Sequence, residues 1–170
     1  MYSIGTTVLH PGAGVCRIED IRQEALLAKE CKTYYILKPV YENAQTTIYC
    51  PVDSDKIALR SLLTAEDIHA LLHNIPTEGS PWIANDLKRQ EVFAEILREG
   101  DRVKLIRLIL DLRQKQREKQ QAGKKLHLAD GKVLHEAEKR IGQEFAYVLH
   151  IQPDEVIPMI TSTCQKDDNS

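Results

Sequence analysis

The chain contains a single tryptophan, Trp82, set directly behind Ser80 and Pro81. A serine N-cap followed by proline at the first helical position fits the unpaired amides and fixed φ of a helix start, so this spacing predicts Trp82 at the second position of a helix. An indole so placed lies at the edge of a helical bundle, where complete burial is difficult. Apolar or aromatic side chains inserted at a base step of the minor groove unstack and kink the duplex, and an exposed indole has that chemistry available. The competing reading packs the ring against a neighbouring helix, because tryptophan is highly buried on average. Position alone leaves both open.

Behind Trp82 the chain becomes locally basic. Residues 82–143 hold 15 Lys and Arg against 10 Asp and Glu, whereas the whole chain has 23 against 25, which leaves the remainder with 8 against 15. Lys88, Arg89, Arg113, Lys115, Arg117, Lys119, Lys124, Lys125 and Lys132 belong to this segment and are candidates for phosphate contact. Each also fits a solvated helix face, the usual place for Lys and Arg. A bias this modest predicts weak unaided affinity for DNA.

Other chemistries find little footing. His69 and His73 have the i, i+4 spacing of a metal pair, but a competent zinc site needs at least three protein ligands and no third is nearby in sequence. The Gly12 and Gly14 turn lacks the Lys and Ser or Thr of a phosphate loop, and neither a nucleophile elbow nor an HExxH run occurs. Cys16, Cys31, Cys50 and Cys164 lie far apart without a CxxC pair; the reading takes them as small buried hydrophobes, with Cys164 allowed to be exposed. The expectation is a protein that is not an enzyme and uses no cofactor and no metal.

The elements that must position Trp82 follow from periodicity. Short runs rich in β-branched and aromatic residues, Thr6 to His10, Val15 to Ile21, Thr33 to Lys38 and Thr46 to Cys50, read as strands that close only a small barrel. After Pro51 the period shifts to 3.6. Thr64 to Asp67 resembles a capped start for a helix carrying Ile68, Leu71 and Leu72. A helix from Ser80 carries Ile83, Leu87, Phe93 and Leu97 to Gly100, and Asp101 caps the next, which is apolar through Leu112 and polar beyond Arg113. Gly123 stops it. A further helix from about Asp130 to His150 has Leu134, Ala137, Ile141, Phe145 and Val148 as its core stripe, and a short one runs from Asp154 to about Ile160.

At 170 residues, with 42% hydrophobic and 28% charged residues, the chain has enough apolar material for two small cores. The division expected is a β-domain over 1–60, a helical domain over 61–163 and a tail over 164–170. No run approaches the roughly 20 apolar residues of a membrane span, and the N-terminus has no secretory pattern, so the expected location is cytoplasmic.

The residues then fall into a known pattern. Val8-Leu9-His10-Pro11-Gly12-Ala13-Gly14-Val15, Ile18 to Ile21, Tyr34 to Lys38 and Ile48 to Val52 are followed by Pro81-Trp82-Ile83, Lys88-Arg89, Leu97 to Asp101, Gly123 to Leu126, Ala137-Glu138 and Gln143 to Ala146. In order and spacing the chain resembles the CarD family of bacterial RNA-polymerase-binding regulators. That resemblance implies an α+β protein, with an N-terminal SH3-like or Tudor-like β-barrel on the polymerase β subunit and a C-terminal helical bundle touching promoter DNA. It implies polymerase contact near Arg22, Glu24, Thr47 and Tyr49. It implies DNA contact, largely non-sequence-specific and in the minor groove, by Trp82, Asn85, Lys88, Arg89, Arg113, Lys115 and Lys132. Where some relatives carry basic residues, this chain has Ile83-Ala84-Asn85 and Tyr49, and His127 stands where a Ser or Thr cap is expected. The resulting expectation is a monomeric regulator that stabilises the open promoter at the upstream edge of the bubble. The alternative is a protein-interaction adaptor without DNA contact.

Overall fold

A computed structural model describes residues 1–26, 30–43 and 45–167, and the chain divides into two compact units after Leu63. The architecture is α+β. In the first unit β1 (Thr7–His10), β2 (Gly14–Glu24), β3 (Lys32–Pro39), β4 (Ile48–Pro51) and β5 (Arg60–Ser61) pair antiparallel in the order β4-β3-β2-β1-β5. Sequence alternation gives the first four. The two-residue β5 is missed because Arg60 and Ser61 are both exposed and carry no apolar rhythm.

Two local devices shape this sheet. Between β1 and β2 the turn is fastened by His10, whose Nδ1 accepts the amides of Gly12 and Ala13, each at 3.1 Å. Gly14 closes that turn at φ +70°, a backbone angle that glycine adopts without steric cost. Along β2 the register slips between Ile18, opposite Leu37, and Asp20, opposite Ile36. In a regular strand residues three apart face opposite ways; the bulge rephases β2 so that both Ile18 and Ile21 join the core. That core gathers Val8, Ala13, Cys16, Ile18, Tyr35, Leu37 and Cys50.

The second unit contains, among the described residues, α1 (Ala65–His73), α2 (Asp86–Glu99), α3 (Arg102–Gln121), α4 (Leu128–Leu149) and α5 (Pro153–Asp167). Thr64 and Asp67 form the reciprocal capping box that the sequence suggests, Asp101 caps α3, and Gly100 ends α2 in the left-handed conformation. His127 precedes α4 without a side-chain cap bond. Ile68, Ile106, Ile109, Leu112, Ala137, Ile141, Phe145, Val156 and Ile160 are buried in the interior. No described helix is long and apolar enough to cross a membrane.

Three sequence expectations need correction. Trp82 is not in a helix: α2 begins at Asp86, and its N-cap is Asn85, whose side chain accepts from the Lys88 amide at 2.9 Å. Leu87, assigned to the apolar side, is 79% exposed. The last helix does not stop near Ile160 but continues to Asp167, with the hydroxyls of Thr161 and Thr163 bonded to the Ile157 and Met159 carbonyls one turn back. A fourth correction concerns the cysteines: Cys16 and Cys50 are buried and Cys164 is half-buried, but Cys31, expected as a buried hydrophobe, is exposed. Burial, together with nearby Glu42 and Cys50, pushes the Cys16 thiol up to about 11, which keeps it out of thiolate chemistry.

Candidate functional site

Trp82 lies on the segment between α1 and α2, and two arginine–aspartate pairs fix that segment at both ends. On α3, Arg107 donates to the Pro76 carbonyl at 2.7 Å and pairs with Asp111, whose carboxylate accepts the Ser80 amide at 3.3 Å. A Cβ at Gly79 would stand 2.6 Å from the Asp111 carboxylate, so a side chain there would displace the group that accepts the Ser80 amide. On the far side, Arg89 of α2 donates to the Ile83 carbonyl at 3.0 Å and to the Ala84 carbonyl at 3.5 Å. A helix running unbroken from Pro81 would need those two carbonyls to accept the Leu87 and Lys88 amides. Engaged by Arg89, they are withheld, and the helix starts at the next polar cap.

Arg89 is itself interior. It is 3% exposed and forms a two-pronged pair with Asp130 of α4, which is fully buried, through Nε and Nη2 at 3.0 Å each. Gln90 adds a third bond to that carboxylate at 2.6 Å, and Asp86 takes Nη2 of Arg89 at 2.7 Å. These bonds, that to Asp130 foremost, push the Arg89 pKa up.

The indole stands between cations and an aromatic ring. The Arg89 guanidinium and the Lys115 ammonium each lie 4.8 Å from its centroid, and Phe93 meets it edge-on at 6.4 Å. Trp82 is nonetheless 36% exposed, so the ring is neither sealed in the core nor loose on the surface. Beside it opens a cleft of about 500 Å³ with Leu72, Ile75 and Leu110 in its wall and Arg113, Lys115 and Arg117 among its polar lining.

The seven residues assigned to DNA do not form one patch. Trp82, Arg89 and Lys115 meet, and Arg113 lines the same cleft while paired with Glu138. Asn85 is occupied as the α2 cap, and Lys88 is exposed in the first turn of that helix. Lys132 lines a separate depression with Lys125 and His135. Arg89 is corrected outright as a phosphate contact, because its donors already have acceptors inside the protein. Sequence reasoning missed Asp130, Arg107 and Asp111. Among the described residues no three His, Cys, Asp or Glu side chains gather as a metal site, and His69 and His73 are exposed on α1.

In the first unit, three of the four residues expected to meet polymerase share one face of the sheet. Arg22 stands opposite Tyr34 and Glu24 opposite Lys32 in the β2–β3 ladder, while Tyr49 stands opposite Ile36 in the β3–β4 ladder. Directly opposed residues share a face, so Arg22, Glu24 and Tyr49 lie on the face away from Tyr35 and Leu37. Tyr49 packs edge-on to Tyr34 at 6.4 Å, and Arg22 bonds Asp20 at 2.6 Å. That bond and the Ile21 amide hold the Asp20 carboxyl below its ordinary range. Thr47 is exposed just ahead of β4, which ends the sheet order.

Residues 2–63 match the CarD-like/TRCF RID domain. This RID-type domain is Tudor-like, and its kind interacts with RNA polymerase in transcription-related proteins. The match covers the first unit and leaves the helical unit outside it. No curated protein matches the chain.

Proposed function

We propose that this chain is a non-enzymatic transcription regulator. Its RID-type domain binds the β subunit of bacterial RNA polymerase, and its helical unit presses Trp82 into the minor groove at the upstream edge of the promoter bubble, stabilising the open complex. One observation carries the reading: in a chain whose first unit is RID-type, the only tryptophan of the second is held on a pinned surface segment between two cations. The edge position of β4 supports the polymerase half, because an unpaired strand edge offers backbone donors and acceptors to a partner.

The energetics ask little of the DNA contact. A tether raises the effective concentration of a second module to the order of millimolar, so a weakly basic surface need not bind free DNA well. Preference for open over closed promoter by about 1.4 kcal/mol shifts their ratio about tenfold.

A second reading, an adaptor whose helical unit binds another protein, is favoured by the internal pairing of Arg89 and Arg113 and by the apolar wall of the cleft. Crosslinking in a polymerase–promoter complex separates the two. The proposal expects Trp82-bearing peptides to crosslink to DNA at the upstream bubble edge, with a yield that falls as salt rises. Crosslinks to protein alone would select the adaptor.

A further inference from the structure

We propose that Arg89 is a positioning residue for Trp82: anchored on buried Asp130, its guanidinium holds the Ile83 and Ala84 carbonyls and lies against the indole, so that the ring is presented in one orientation before any partner arrives. This deepens the proposed function, and rests on it only for what the ring meets.

Geometry separates this role from both a phosphate contact and an ordinary core pair. A guanidinium has five N–H donors in a rigid fork. Here Nε goes to Asp130, Nη1 to the carbonyls of Ile83 and Ala84, and Nη2 to Asp130 and Asp86. No donor remains for a phosphate, and at 3% exposure none could reach one. A pair serving the core alone would have no reason to engage the two peptide carbonyls that directly follow Trp82, nor to stand 4.8 Å from the centre of its ring. The segment is held independently upstream, where Arg107 and Asp111 fix Pro76 and Ser80. A side chain fastened on both flanks loses little freedom on binding, which is the advantage of preorganisation.

The fork is essential. Lysine at position 89 keeps the charge and can reach one acceptor, but it is a point charge on a flexible stem and cannot span Asp130 and the two carbonyls together. Arg89→Lys is therefore conservative for a phosphate contact and disruptive for a positioning residue.

Because Trp82 is the only tryptophan, the indole band at the long-wavelength edge of the near-ultraviolet dichroism, beyond tyrosine absorption, and the acrylamide quenching of indole emission report on this residue alone. Full-length wild type, Arg89→Lys and the volume-matched Arg89→Met/Asp130→Leu double variant are compared, with far-ultraviolet dichroism as the check on folding. Expected is loss of the indole near-ultraviolet band and greater quenching in Arg89→Lys and in the double variant, with helix content retained. A wild-type indole signature in folded Arg89→Lys would overturn the proposal; should the double variant fail to fold, Arg89→Lys decides alone. In polymerase–promoter assays Arg89→Lys is expected to shorten open-complex lifetime in the direction of Trp82→Ala, and a lifetime equal to wild type would count against positioning. If Trp82→Ala itself leaves lifetime unchanged, the wedge reading falls while the indole signature still decides the role of Arg89.

Discussion

Arg89 and Asp130 show how one charged pair can settle where an aromatic ring sits. Both are taken out of water, a cost offset only because every donor finds an acceptor and the carboxylate accepts from Gln90 as well. Removing one partner strands the other: Arg89→Ala is expected to destabilise the helical unit by about 3–5 kcal/mol in chemical denaturation. The Arg98–Glu95 pair, exposed on the same helix, makes the contrast, and Arg98→Ala should leave the unfolding midpoint unchanged. Equal losses for the two variants would contradict this account of Arg89. A surface position for Trp82 was legible in the sequence as one of two readings. The role of Arg89 was not, because counting charges reveals sign but not a partner 41 positions away.

At the scale of elements, the start of α2 was misread for a reason that can be tested. Ser80 and Pro81 have the local chemistry of a helix start, yet Arg89 holds the Ile83 and Ala84 carbonyls that an unbroken helix would offer to the Leu87 and Lys88 amides, and the Lys88 amide goes to the Asn85 side chain, which caps instead. Asn85→Ala should cost about 1 kcal/mol and Asn85→Asp much less, since aspartate caps nearly as well. Equal effects of the two would point to a role beyond capping. The Thr64–Asp67 box and the Gly100 stop were readable because their partners lie within one turn.

The β1–β2 turn makes a prediction in pH. Nδ1 of His10 accepts two amides, which requires that nitrogen to be unprotonated, and burial lowers its pKa below the ordinary 6.5. The unfolded chain therefore binds the proton more readily, so the contribution is complete above 6.5 and is lost as pH falls through the lower folded value. Five of the six tyrosines lie in the first unit, so tyrosine emission follows its unfolding. Denaturation of the wild type should show a lower midpoint for this unit at about pH 5 than at about pH 7, and His10→Asn should flatten the dependence. An unchanged wild-type midpoint would remove His10 from the turn's energetics.

At the scale of the whole molecule, the distribution of charge bears on the proposed function. Residues 1–63 carry 7 Lys and Arg against 7 Asp and Glu, and residues 64–170 carry 16 against 18, so neither unit is basic as a body. The bias of residues 82–143 is local and partly spent on internal pairs such as Arg102–Glu144 and Arg113–Glu138. Under the proposed function, affinity for free DNA should accordingly be low and steeply salt-dependent, with location supplied by binding to polymerase. The change of period after Pro51 made the α+β class legible, and the strand residues with the His10 to Gly14 turn pointed to the RID-type domain. The site was less legible, because its geometry depends on α2, α3 and α4 meeting around one short segment.

The most direct measurement is the lifetime of open complexes formed by polymerase on a responsive promoter, with wild-type protein and with Trp82→Ala, after equal polymerase binding has been verified for both. The account predicts a shorter lifetime for the variant. Equal lifetimes at equal occupancy would contradict it.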